Sequence, residues 1–188
     1  MELRPQDLVV TLKFFADLPR VWTYAAVGEE LSMSPSQVFR SVARAEAASL
    51  LGSPPYSSTF PAPTASNRKM AIPLHPLSAN LKEFLIHGVQ YAFPAKRGGP
   101  VRGMPTAHAA PPLNQHFGEA FEPPPVWPDP QGTVRGTEFS PLYKNVPAAA
   151  RRDPKLYELL ALVDAIRDGR IRERELAIRE LESRIDSR

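Results

Sequence analysis

The chain contains no cysteine among its 188 residues. Nor does any stretch approach the roughly 18 consecutive apolar residues of a membrane span. The first absence excludes a disulfide framework and cysteine-ligated zinc or iron–sulfur clusters. The second, together with a start that lacks the apolar core of a signal peptide, leads us to expect a cytoplasmic protein without a membrane partner.

Sequence motifs of catalysis and metal binding are also missing. There is no Gly-x-Ser-x-Gly, no Gly-rich phosphate loop followed by Lys-Ser/Thr, and no credible pair of carboxylates. The four histidines, His75, His87, His108 and His116, lack the spacing of zinc ligands. We therefore expect no catalysis, no cofactor and no bound metal, and an enzyme such as a nuclease is the least favoured class.

The charge is small and unevenly distributed. The net charge is +3, and 43% of the residues are hydrophobic, which is enough for a packed core. Residues 1–107 carry 11 Lys or Arg against 7 Asp or Glu, whereas residues 108–188 carry 12 against 13. The basic excess of the first part agrees with phosphate contacts there, although many domains without a nucleic-acid role reach it.

Residues 22–50 have the pattern of two helices joined by a short turn. Thr23 can cap the first helix, and Ser34-Pro35-Ser36-Gln37 begins the second as a capping box with proline at the first helical position. Gly28 provides a small contact where the helices approach. The shared apolar face consists of Val27, Leu31, Met33, Val38, Val42 and Ala45. With a further helix over residues 5–17, the pattern predicts the three-helix core of many DNA-binding domains.

The second helix of this motif carries short polar side chains and guanidinium groups opposite its apolar residues. Such side chains pair with base edges and phosphates in a major groove. The residues that we predict to bind DNA are Ser36, Gln37, Arg40, Ser41 and Arg44. The alternative is a three-helix core with no DNA role, because such cores also bind proteins.

A basic, glycine-rich stretch, Lys96-Arg97-Gly98-Gly99, separates two short segments with alternating apolar residues, 89–94 and 101–106. This pattern predicts a β-hairpin. After a helix-turn-helix, such a hairpin would be the wing of a winged helix. Lys96, Arg97 and Arg102 would then contact the phosphate backbone or the minor groove. Alone, the basic stretch is more often a solvated turn.

The remaining segments complete a mainly α fold with a small β-hairpin. Residues 1–107 form the predicted winged helix-turn-helix domain, with a Pro/Ser/Thr-rich insertion, mobile in its first part, at about 52–76. Residues 108–152 are predicted to be a proline-rich extended segment, whose aromatic residues suggest that it lies across a surface. Residues 153–188 are predicted to form a C-terminal helical hairpin that begins at an Asp153 cap and breaks at Gly169. The aromatic residues of the extended segment are Phe117, Phe121, Trp127, Phe139 and Tyr143.

On these motifs, residues 5–107 resemble a bacterial winged helix-turn-helix regulator of broadly MarR-like kind. The resemblance implies a sequence-specific transcriptional regulator that binds double-stranded DNA as a homodimer. The insertion at 52–76 and the proline-rich segment depart from that pattern.

Two shorter stretches are similar to small winged-helix antitoxins that pair with nucleotidyltransferase-like toxins. They are residues 83–94, EFLIHGVQYAFP, and residues 156–160, LYELL. This similarity implies autoregulation and a cognate toxin as partner. The alternative is a protein-binding adaptor or toxin-neutralising module without specific DNA binding.

Overall fold

The computed structural model describes residues 2–53, 71–117 and 123–187. They are mostly helical with a small sheet, as the sequence predicted. The chain divides into two compact units, which we call unit 1, Met1–Leu81, and unit 2, Lys82–Arg188. The sequence instead suggested a boundary after residue 107. Residues 97–105 belong to the second unit because they pair with strands that come later in the chain.

Unit 1 contains the three predicted helices. They are α1, Pro5–Ala16; α2, Tyr24–Leu31; and α3, Pro35–Ala47. Both predicted caps are confirmed. The Thr23 side chain accepts a hydrogen bond from the Ala26 N–H at 3.2 Å. Ser34 and Gln37 exchange side-chain to backbone hydrogen bonds of 2.9 and 3.2 Å, so a complete capping box begins α3.

A tight turn joins α2 to α3. Ser32 has a φ of 53°, in the left-handed region, and the Met33 N–H donates to the Gly28 carbonyl at 2.8 Å. A Cβ on Gly28 would lie 2.5 Å from the Met33 carbonyl oxygen. Only glycine therefore fits at this approach. The buried residues of the three helices include Leu8, Leu12, Phe15, Val27, Leu31, Val38, Val42 and Ala45.

A short pair of strands comes after α3. β1, Leu51–Gly52, is antiparallel to β2, His75–Pro76. The predicted mobile insertion lies largely between these strands, and its residues 54–70 are outside the described residues.

The prediction of a β-hairpin wing over residues 89–106 is wrong. Residues 89–92 are helical: α4, Ser78–Glu83, continues through a π-helical turn, Phe84–Gly88, into α5, Val89–Ala92. Leu85, Val89 and Phe93 are four residues apart and all buried. The spacing that suggested a strand therefore also fits a helix. The next element is a single strand, β3, Arg97–Pro105, with no hairpin turn at its basic residues.

The strands that pair with β3 come from the proline-rich segment. β4, Pro125–Pro128, and β5, Val134–Phe139, are both antiparallel to β3 and parallel to each other, and the three close into a small barrel. Trp127 and Phe139 are at most 1% exposed. This segment is therefore part of the core of unit 2, which corrects the expectation of an extended chain lying across a surface. Phe121 is outside the described residues.

Three helices complete unit 2: α6, Val146–Arg152; α7, Pro154–Asp168; and α8, Ile171–Asp186. The predicted cap is confirmed, because the Asp153 carboxylate accepts from the Leu156 N–H at 3.0 Å. α7 and α8 form the predicted helical hairpin and pack against each other. Within the described ranges, no helix combines the length and the apolar character that crossing a membrane requires.

Candidate nucleic-acid interface

The two faces of α3 have different environments. Val38, Val42 and Ala45 are at most 2% exposed and belong to the core of unit 1. On the other side, Ser36 and Arg40 are exposed, at the amino-terminal half of the helix. This half of α3 is therefore the part of the motif that a ligand can reach.

Arg40 is the cation of this exposed face. Its Nε donates to the Ser36 carbonyl at 3.2 Å, which leaves the two terminal nitrogens of the guanidinium for a ligand. In the part of the chain that the structure describes, Arg40 has no acidic partner. Arg20, by contrast, contacts Glu30 at 3.2 Å. A guanidinium of this kind can bind a guanine edge or a phosphate.

Gln37 is only partly available for binding. It is half-buried, and its side-chain oxygen accepts from the Ser34 N–H in the capping box. Its amide nitrogen remains as a donor. We therefore assign Gln37 mainly to the start of α3.

Two of the predicted DNA-binding residues are buried, which corrects their placement on the exposed face. Ser41 is 0% and Arg44 is 8% exposed. Arg44 donates to both oxygens of Asp7, from Nε at 2.7 Å and from a terminal nitrogen at 2.6 Å. The hydrogen bond with Asp7 raises the pKa of Arg44. This side chain links α3 to α1, and nothing within α3 itself signals the acidic partner 37 residues earlier.

An aromatic pair that was not predicted from the sequence lies beside Arg40. Phe39 is 56% exposed, and its ring packs edge-on against Tyr24 with centroids 5.5 Å apart. These rings line a shallow groove with Pro35, Ser36 and Arg40. A signal was present, because Phe39 lies outside the apolar stripe of Val38, Val42 and Ala45. Burial, and secondarily the charge of Glu46, raises the pKa of Tyr24.

The three basic residues assigned to the wing lie in unit 2. Lys96 and Arg102 are exposed. Arg97 Nε contacts the Asp168 carboxylate at 2.6 Å, and a terminal nitrogen donates to the Asp168 carbonyl at 3.1 Å. The guanidinium of Arg97 thus has a protein partner, whereas the two other cations are accessible.

Unit 2 also contains a buried polar cluster around Asp164. Its carboxylate accepts hydrogen bonds from the Thr106 hydroxyl, the Trp127 indole and the Arg167 guanidinium at 2.8, 2.6 and 2.6 Å. Burial raises the pKa of Asp164, against the opposing effect of Arg167. Asp164 is 1% exposed and both its oxygens are hydrogen-bonded. The cluster therefore joins α7 to β4 and the end of β3 and presents no reactive group to solvent.

Comparisons with known proteins add no assignment: no protein-family model, curated protein or solved structure matches this chain. Across residues 2–53, 71–117 and 123–187, no group of three His, Asp or Glu side chains could hold a metal ion. The exposed half of α3 brings together a guanidinium, a hydroxyl group and an aromatic ring at the surface of unit 1.

Proposed function

We propose that unit 1 binds double-stranded DNA with the amino-terminal half of α3 in the major groove, and that the protein is a sequence-specific transcriptional regulator. The observation that carries this proposal is the exposed Arg40, which has no acidic partner among the described residues and lies beside Ser36. The opposite face of the same helix is fixed in a three-helix core.

The chemistry of the face suits base edges. A guanidinium can donate two parallel hydrogen bonds to O6 and N7 of guanine, and a serine hydroxyl can donate or accept. One such bidentate contact discriminates between bases by about 1–3 kcal/mol. Arg40 is therefore the proposed base-reading residue, with Ser36 next to it.

The helix is held in a defined orientation before any ligand binds. The Arg44–Asp7 ion pair joins it to α1, and the Gly28 approach fixes its start against α2. A reading helix that is already ordered loses little conformational entropy on binding, which supports its use for recognition.

The charge of unit 1 provides little general attraction to phosphates. Unit 1 carries seven Lys or Arg and six Asp or Glu, so it is nearly neutral. Phosphate contacts from unit 2 are a separate proposal, for which the exposed Lys96 and Arg102 are the candidates. We also propose that two copies bind a near-palindromic site with half-sites about one helical turn apart.

A second candidate function is protein binding through the same groove. The exposed Phe39 ring beside Tyr24 and the near-neutral charge of unit 1 favour it. The protein would then be a protein-binding adaptor or a toxin-neutralising module. In the second case its partner would be a toxin.

Selection from a pool of random DNA duplexes with the full-length protein separates the two candidates. We expect one motif to be enriched, and Arg40→Ala to weaken binding of that motif by about ten- to a hundredfold. The matched control is Arg20→Ala, which removes an exposed arginine outside α3 and should bind within about twofold of wild type. Failure to enrich any motif would contradict sequence-specific DNA binding, and a folded Arg40→Ala with wild-type affinity would contradict the placement of α3.

A further inference from the structure

We infer that Phe39 reads the C5-methyl group of a thymine in the major groove, next to the base that Arg40 contacts. This inference rests on the proposed DNA-binding function and adds a specificity that the polar residues of α3 do not supply. The ring is 56% exposed on the face that carries Ser36 and Arg40.

One side of the Phe39 ring packs against another aromatic residue. Tyr24, the first residue of α2, packs against Phe39 with an angle of 62° between the ring planes. The remaining surface of Phe39 borders the groove formed with Pro35, Ser36 and Arg40. An apolar ring that packs on Tyr24 is thus presented beside a guanidinium.

The chemistry of the groove favours a base edge with an apolar group. Thymine is the DNA base with a methyl group in the major groove, and phenylalanine is suited to contact it. The exposed amino groups of cytosine and adenine would lose hydrogen bonds to water against a phenyl ring, at a cost that disfavours these bases.

The charge of the groove supports nucleic acid as its occupant. None of its five lining residues is acidic and Arg40 supplies a positive charge, while the negative charge of Glu46 acts on Tyr24 from outside this lining. DNA places the apolar methyl group of thymine near anionic phosphates and base acceptors. It therefore matches both the apolar ring and the positive charge of the groove. A purely apolar peptide side chain would match Phe39 and Tyr24 but leave the guanidinium without an acceptor.

The test uses the full-length protein and the duplex enriched from the random pool. Each thymine of that duplex is replaced singly by deoxyuridine, which lacks only the methyl group. We expect one replacement to weaken wild-type binding about fourfold, the effect of removing one buried methyl contact. Phe39→Ala should bind the thymine and uracil duplexes equally. Tyr91→Ala, which truncates an exposed aromatic of unit 2, should keep the wild-type ratio.

Several results would overturn the inference. If a motif is enriched but no uracil replacement weakens binding, or if Phe39→Ala retains the fourfold ratio, Phe39 does not read thymine while DNA binding stands. If Phe39→Ala leaves the ratio unchanged and converts a dimer to a monomer in sedimentation, the groove binds a second copy of the chain. If no motif is enriched, the proposed function fails and the inference fails with it.

Discussion

Arg44 in the last turn of α3 donates two hydrogen bonds to the carboxylate of Asp7 in the first turn of α1, and both side chains are at least nine-tenths buried. Asp7 also accepts from the Arg4 N–H at 2.8 Å, so one carboxylate both caps α1 and holds α3. The ion pair therefore sets the orientation of the helix that we propose to enter DNA.

Removing Arg44 should destabilise unit 1. Arg44→Ala leaves the Asp7 carboxylate buried without its partner, which typically costs about 3–5 kcal/mol. We expect amides of α1 and α3 to exchange with solvent much faster in this variant, as measured by hydrogen exchange and mass spectrometry. Arg40→Ala, an exposed position on the same helix, should change stability by less than about 0.5 kcal/mol. Equal protection in wild type and Arg44→Ala would show that the ion pair does not hold the helices together.

A methyl group at Gly28 should disrupt the turn between α2 and α3. Its Cβ would lie 2.5 Å from a backbone oxygen that cannot rotate away. We expect Gly28→Ala to cost about 1–3 kcal/mol, the usual range for overpacking. Ala25→Ser, at an exposed position of α2, is the control and should be within about 0.5 kcal/mol of wild type. Urea unfolding measures both, and a neutral Gly28→Ala would mean that the helices are farther apart than described.

The Tyr157 hydroxyl should make the stability of unit 2 depend on alkaline pH. It donates to the Pro105 carbonyl at 2.8 Å, and burial raises the pKa of Tyr157 from 10.0 to about 12. At neutral pH, Tyr157→Phe loses this hydrogen bond and about 1 kcal/mol. Between pH 10 and 12 the unfolded chain ionises this tyrosine before the folded protein does, so wild-type stability falls as pH rises.

The difference between wild type and Tyr157→Phe should therefore shrink above pH 10, because the variant lacks this group. Denaturant unfolding of both proteins at neutral and alkaline pH measures it. A constant difference across that range would contradict the burial of the Tyr157 hydroxyl.

Lys96 and Arg102 provide a test for phosphate contacts outside α3. If both contact the DNA backbone, the double variant Lys96→Ala/Arg102→Ala should weaken specific and random duplexes alike. The slope of log affinity against log salt should fall by about one to two. Lys144→Ala/Lys155→Ala removes two other exposed charges of unit 2 and is the control. The same slope in both double variants would exclude Lys96 and Arg102 from the interface.

Local patterns could be predicted from the sequence, and long-range pairing could not. The starts of α2, α3 and α7 follow from caps within three residues, and all three are confirmed. Residues 89–94 fit a strand and a helix equally well. The sequence predicted that residues 89–94 pair with the segment that follows them. In the structure that segment, β3, pairs with β4 and β5, and residues 89–92 are helical.

The candidate site has the same limit. Ser36 and Arg40 are exposed as predicted because the apolar stripe of α3 fixes the opposite face. Arg44 could not be placed, since its partner Asp7 lies on another helix. The pattern of an amphipathic helix predicts that its polar residues are exposed. It cannot show that one of them, such as Arg44, is buried by pairing with a charged residue of another helix.

The most direct test of the central claim is interference by methylation of guanine N7 on the selected duplex. This modification blocks an acceptor in the major groove that an arginine would use. We predict that methylation of one guanine in each half-site blocks binding by the wild-type protein and has no effect on the residual binding by Arg40→Ala. Binding that is insensitive to N7 methylation, or that is blocked equally in wild type and Arg40→Ala, would contradict recognition of the major groove by Arg40.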